Sequence, residues 1–272
     1  MSLAAEPRRP AALRRLLALL GRTTRRRVRF LLILAALSFG LFREVLRPQA
    51  WRRTVRAEFR RVLKQSLGDG LWTVLLTAAL VGAALVNQTL FWLSQTGEEA
   101  LIGSMLVNGL VRGIGPALVG LILLGRSGMA MLAGFGSLQV RGQMRAMEAQ
   151  GLDPFLLLLL PGAFALALAC FTLTIIFIAV ALLTGFITDT LLQPSTVTFG
   201  SFVDHMLKAL VLADVVIFPI KTLGIGLLVA LSAAVTAFQA GPRMTAADLL
   251  PQGFVRGVVV IIAVNVAFTL VT

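Results

Sequence analysis

At 272 residues, with a mean hydropathy of +0.91 and only 14% of residues charged, the chain is too apolar for a soluble domain and reads as a polytopic membrane protein. The formal net charge is +13, yet 17 of the 25 lysines and arginines fall in the first 64 residues against three acids, Glu6, Glu44 and Glu58, so the remainder is close to neutral. A single cysteine, Cys170, excludes an internal disulfide, and a single histidine, His205, without a second histidine or cysteine at ligand spacing, argues against a metal centre. No cofactor and no catalytic acid and base pair are expected, which sets an enzyme aside.

From the N-terminus, arginines interleave with leucine and phenylalanine at helical spacing in ALRRLLALLGR and WRRTVRAEFRRVLKQ. That pattern suits amphipathic helices on an anionic membrane face rather than a nucleic-acid partner. A transit peptide is the second reading, because the first 29 residues are arginine-rich and acid-poor. Phe30 to Phe42 is apolar for 13 residues. That gives about 20 Å of helix, too short for a hydrocarbon core of about 30 Å, and predicts an interfacial element.

Five spans follow. The first is Leu71 to Leu93, without a charge; the second is Ala100 to Gly125, interrupted by Arg112 and Pro116; the third lies within Pro154 to Thr188. Ala209 to Gln239 gives the fourth, with Asp214, Pro219 and Lys221 inside it, and Gly257 to Leu270 a short fifth. Small residues, among them Gly82, Gly224 and Gly226, permit close helix packing. The 94–99 and 189–204 loops carry no lysine or arginine, whereas Arg126, Arg141 and Arg145 lie in the 126–153 segment and Arg243 and Arg256 in the 240–256 segment. The positive-inside rule then places the N-terminus in the cytoplasm and the C-terminus outside. The expected fold is all-α: a basic interfacial segment over residues 1–64 and a five-span domain over 65–272.

Arg112 and Lys221 are costly inside a membrane. They either line a cavity or contact a partner, or else snorkel or pair internally with Asp214. The 126–153 segment contains Met131, Leu138, Met144 and Met147 on one side of a short helix near Gln139 to Gln150, ended by Gly151 and the stop at Asp153 and Pro154. It reads either as a membrane-surface connector or as the coupling helix through which an ABC permease receives motion from its ATPase.

The motif residues resemble the MlaE/YrbE permeases of MCE-type lipid ABC transporters. Arg112 is followed by Ile114, Gly115 and Pro116, then by GRSG at Gly125, Arg126, Ser127 and Gly128, by Gly136, and by Gln143, Met147, Glu148, Asp153 and Pro154. Lys221 with Asp214 is similar to an acid and lysine in the family's fourth span. Three family glutamates are replaced by Gly113, Gly134 and Gly142, an acid of the last span by Asn265, and Arg145 stands where an acidic or small polar residue is common. The resemblance implies a permease subunit in a bacterial inner membrane, paired with a second permease subunit. It further implies a cytoplasmic ATPase below, a periplasmic MCE-domain protein above, and phospholipid as cargo. Arg112, Lys221, Asp214 and Asn265 are the implied substrate-lining residues, and Gln143, Arg145, Met147 and Glu148 the coupling face. The glycine replacements support an alternative, a permease-like scaffold subunit that does not itself couple.

Overall fold

The computed structural model describes residues 30, 32–41, 43–44, 53–96, 102–192, 200, 204, 207–240 and 246–270. Much of the basic N-terminal segment, His205 and Arg243 lie outside them, as does most of the 189–204 loop. Among the described residues every regular element is a helix, and five helices are long and apolar enough to cross a membrane.

Helix α1, Leu32–Leu41, is the short apolar element expected from the sequence. Its Leu34 and Leu41 are buried, and the guanidinium of Arg256 lies 5.1 Å from the Phe30 ring centroid beside it. Helix α2, Arg53–Thr96, is one unbroken helix of 44 residues. At 1.5 Å per residue it is about 66 Å long, twice the depth of a hydrocarbon core, so its basic first third projects beyond the span. The expected boundary at residues 64 and 65 falls inside this helix.

Helix α3 is longer than the second span expected from sequence. It runs through α-helical Ile102–Leu106, π-helical Val107–Ile114, α-helical Gly115–Leu123, π-helical Leu124–Gly128 and α-helical Met129–Val140. Gly125 therefore does not end it: the glycines and Arg126 are absorbed in a π turn. Helix α4, Gln143–Ala149, is separate from α3 because Gly142 turns the chain at φ 70, in the left-handed region where only glycine sits without strain. The expected coupling helix from Gln139 is accordingly broken, with Met131 and Leu138 on α3 and Met144 and Met147 on α4.

Helix α4 closes as the sequence suggests. Gly151 adopts φ 76, its N–H donates to the Glu148 carbonyl at 2.9 Å, and the Leu152 N–H donates to the Met147 carbonyl at 3.0 Å. These are the two bonds of a glycine-terminated helix end. Asp153 Oδ1 then accepts the Phe155 N–H at 2.9 Å and starts helix α5, a π turn at Phe155–Leu159 continued by α-helical Leu160–Leu192. Helix α6 is Leu212–Phe238 and α7 is Ala246–Thr269. The fifth span is thus a full-length helix: it begins before Pro251 and carries Arg256 within it, where the charge had suggested a loop.

The principal packing is α2 on α5. The buried stripe of α2 repeats every fourth residue through Ser66, Gly70, Val74, Ala78, Gly82 and Val86. It meets Leu173, Phe177, Ala181 and Gly185 at the same spacing on α5. A Cβ at Gly82 would overlap the Ala181 backbone, so the small pairs Ala78/Gly82 and Ala181/Gly185 set how closely the helices approach. The Thr184 hydroxyl lies 3.3 Å from the Ala79 carbonyl across this seam. At the α5 and α6 contact, Gly226 lies against the Leu166 carbonyl, Ala167 and Cys170, and the cysteine is a fully buried packing residue. Every residue from Val229 to Ala237 is buried, which makes the second half of α6 the centre of the bundle.

Candidate functional site

The first π segment of α3 presents Arg112 to the beginning of α6. Arg112 donates from Nε to Asp214 Oδ1 and from Nη2 to Asp214 Oδ2, both at 2.7 Å. This two-pronged geometry matches the guanidinium fork to the carboxylate. Its Nη1 donates to Asn108 Oδ1 at 3.0 Å, one turn earlier on the same helix. Asp214, only 3% exposed, also holds the start of its own helix. Its Oδ2 accepts the Val211 N–H at 3.0 Å while its own N–H donates to the Val211 carbonyl at 2.8 Å. The acid that pairs Arg112 thereby fixes the first turn of α6.

Lys221 lies two turns further along α6, is 3% exposed, and donates from Nζ to the backbone carbonyl of Arg112. That carbonyl is available for a reason in the sequence. Its i+4 donor would be the backbone nitrogen of residue 116, and Pro116 has no N–H. The Gly115 N–H, for its part, donates to the Leu110 carbonyl, five residues back. An internal pair of Lys221 with Asp214 is therefore not what forms: Asp214 is taken by Arg112, and Lys221 is held by a carbonyl dipole. Within the cluster two cations face one carboxylate, and the charge left over resides on Lys221.

Arg112, Asp214 and Lys221 share a small cavity with Phe218 and Phe268, about 10 Å³ in volume, room for no more than one water. The Arg112 side chain keeps 25% of its accessibility, so the cluster opens at one side. Asn265 is on α7 and does not line this cavity; its Oδ1 is buried without a hydrogen-bond partner among the described residues. The sequence reading missed Asn108 and the Val211 N–H. Asn108 carries a signal in retrospect, since it stands one helical turn before Arg112, at the spacing that lets two side chains meet.

The remaining motif residues are strung along α3 and beyond it, Gly115 and Pro116 beside this cluster and the others further toward the Val140 end. Gly115 and Pro116 are buried at the end of the first π segment, Gly125, Arg126 and Gly128 form the second, and Gly136 is buried facing Leu249 of α7. Arg126 reaches across to α2, where Nη1 donates to the Thr73 hydroxyl at 2.6 Å. On α4, Gln143, Arg145 and Glu148 are exposed, Met147 is half-buried, and Met144 is buried. Of the three glycines in acid positions, Gly134 has open space around it, as does Gly142, whereas Gly113 faces the Asn108 carbonyl.

Comparison with known proteins agrees with this architecture. The family described as Permease MlaE matches residues 59–271. The chain is similar to the Intermembrane phospholipid transport system permease protein MlaE of Haemophilus influenzae, at 28% identity over 48% of this chain and 51% of that protein. It is similar to Protein TRIGALACTOSYLDIACYLGLYCEROL 1, chloroplastic, of Arabidopsis thaliana, at 31% identity over 45% of this chain and 35% of that protein. A probable ABC transporter permease of Rickettsia typhi matches at 23% identity over 77% of this chain and 78% of that protein. The first two alignments thus span about half or less of those relatives. A match through all five helices of the bundle, with the Arg112 and Lys221 positions inside it, makes this multi-pass membrane chain a member of the MlaE permease family.

Proposed function

We propose that the chain is the permease subunit of an ABC-type transporter that moves phospholipid between a bacterial inner membrane and a periplasmic MCE-domain partner, with ATP hydrolysed by a separate cytoplasmic subunit. The observation that carries this reading is the polar cluster of Arg112, Asp214 and Lys221, held inside an otherwise apolar bundle of the MlaE family. Ionisable side chains within spanning helices point by default to a functional site. The name of the Haemophilus relative, an intermembrane phospholipid transport system permease, supports the cargo class. The cavity at this cluster is far smaller than a lipid, so the lipid-sized space is formed against a second permease subunit, with the accessible edge of Arg112 turned toward the head-group phosphate. Orientation follows the arginine-rich loops, N-terminus in and C-terminus out.

In this reading α4 is the coupling element. Its exposed Gln143, Arg145 and Glu148 meet the ATPase, and Met144 anchors it to the bundle. Reconstitution of the purified complex tests both parts. A cysteine at Arg145 is expected to crosslink to the nucleotide-binding subunit, and labelled phospholipid is expected to move on ATP addition. An intact complex that moves lipid without the crosslink removes the coupling role. A complex that neither crosslinks nor moves lipid leaves the scaffold reading, which the glycine replacements at 113, 134 and 142 favour, the one at Gly142 by removing an acid that a basic groove could grip.

A further inference from the structure

A second cavity, of about 360 Å³, opens between α2, α3 and α5 toward the ends formed by Arg53, Val140 and Phe155, away from the Arg112 cluster. Helix α2 packs on α5, including its Phe155–Leu159 turn, while the Met129–Val140 part of α3 packs on α6 and α7; the cavity stands between α2 and that part of α3. Each of these two walls has a weak point in its helix. On α2, Asp69 stands between Gly68 and Gly70, and glycine is the poorest helix former after proline. A Cβ at Gly68 would meet nothing within 4 Å, so packing does not demand the glycine there. On α3, Arg126 sits in the π turn Leu124–Gly128, and π turns are where helices bend. The bond from Arg126 to the Thr73 hydroxyl puts the two weak points at one level, because Thr73 is one helical turn from Asp69. Both Asp69 and Arg126 line the cavity, and neither forms an ion pair among the described residues. The other two charges of the wall, Glu58 and Arg61, are bonded to each other.

We infer that α2 and the Met129–Val140 segment close on each other over this cavity, and that Arg126 latches the closed form by passing from the Thr73 hydroxyl to the Asp69 carboxylate. A guanidinium bonds a carboxylate more strongly than a neutral hydroxyl. In the open form the arginine holds the weaker acceptor, although the stronger one lines the same cavity. Asp69 stands one turn nearer the Arg53 end than Thr73 does, so the guanidinium reaches it as the bend at the π turn carries the segment beyond it inward. Met131, Phe135 and Leu138 line the cavity from that segment, and closing removes their apolar surface from it, which favours the closed form. No existing ion pair has to break, so the balance rests on one new charge pair and on the two bends. The closure belongs to a single chain and stands whether or not that chain carries lipid.

The test is a distance measurement between spin labels at Arg60→Cys on α2 and Arg141→Cys just past α3, both exposed and outside the cavity lining, in a Cys170→Ala background. The full chain is placed in nanodiscs with an excess of unlabelled chain, so that each labelled pair lies within one subunit, and no nucleotide is added. This parent is expected to show two distances, the shorter from the closed form. Asp69→Asn and Arg126→Gln should each lower the closed-to-open ratio about tenfold, the loss of a charge-assisted hydrogen bond, whereas Asp69→Glu, which keeps the charge, should retain it. Gly68→Ala strengthens the helix at the bend and should lower the ratio while the unfolding midpoint holds or rises. Gly134→Leu fills the cavity, since Gly134 lines it and a Cβ there meets nothing within 4 Å, and should leave only the longer distance. A single distance in the parent, or an unchanged ratio in Asp69→Asn, overturns the proposal. A parent that shows both distances yet moves no lipid once its partner subunits and ATP are added leaves the latch standing and removes the transport reading alone.

Discussion

Asp214→Asn tests the buried cluster most directly, because it changes one charge while keeping shape. The carboxylate accepts two bonds from Arg112 and one from the Val211 N–H. Asparagine keeps a single oxygen for these three donors and turns its own amide hydrogens toward the guanidinium. Removing one partner of a buried ion pair costs about 3–5 kcal/mol, because the other charge is left without compensation. Arg112 is not fully enclosed, its side chain keeping 25% of its accessibility, so the expected loss is nearer about 2–3 kcal/mol. For a chain of this size 1 kcal/mol corresponds to roughly 2–4 °C, which puts the fall in the unfolding midpoint at roughly 5–10 °C. The assay is thermal unfolding in nanodiscs, followed by tryptophan fluorescence, for Asp214→Asn, Arg112→Gln and the double variant. The double variant should unfold close to either single one, since the second substitution removes a charge that the first had already stranded. Single variants that shift the midpoint by less than about 1 °C, or a double variant whose shift equals the sum of the two, would refute the argument that the pair is an energetic unit.

Other expectations follow from packing and backbone. Gly226→Ala pushes a methyl group into the Leu166 carbonyl and Ala167 and should destabilise the bundle by about 1–3 kcal/mol, whereas Gly224→Ala enters open space and should leave the midpoint unchanged; equal behaviour of the two contradicts the contact between α5 and α6. Gly142→Ala forces a side chain into a left-handed turn at a cost of roughly 1–2 kcal/mol and should speed limited proteolysis between Val140 and Gln143, so an unchanged cleavage rate tells against the turn. A reporter fused after Thr272 should be active only on the non-cytoplasmic side; activity in the cytoplasm means that the number of crossings is even.

Much of the bundle was legible because lipid imposes simple demands. Runs of apolar residues near the length of a crossing announced five spans, and the Gly151 stop and the Asp153 start of α5 formed the backbone bonds their residue types favour. Less legible were the ends of α3 and α7. Gly125 and Arg126 resemble a loop on composition, yet a π turn carries them inside one helix, and Arg256 suggests a boundary although its guanidinium donates to Thr236 of α6 and to Gln239 just beyond its end. In both places a neutral acceptor brought up by the tertiary fold takes a hydrogen bond from the guanidinium, and a hydropathy window sees only the charge.

The sequence by itself determined the class of the protein, the five helices long and apolar enough to cross, and the presence of Arg112, Asp214 and Lys221 within them, since each depends on local composition. Pro116 even prescribes an unfilled carbonyl at Arg112, because the missing N–H is a property of the residue alone. Which cation would claim Asp214 was decided only in three dimensions. Lys221 and Asp214 are seven residues apart on one helix and invite pairing, but Arg112 arrives from α3 with a fork that fits both carboxylate oxygens, and the freed carbonyl beside it receives the ammonium. The same holds for the cavity at the other end: Asp69 and Arg126 are 57 positions apart in the chain, and only the packing of α2 against α3, through Thr73, sets them one turn from each other.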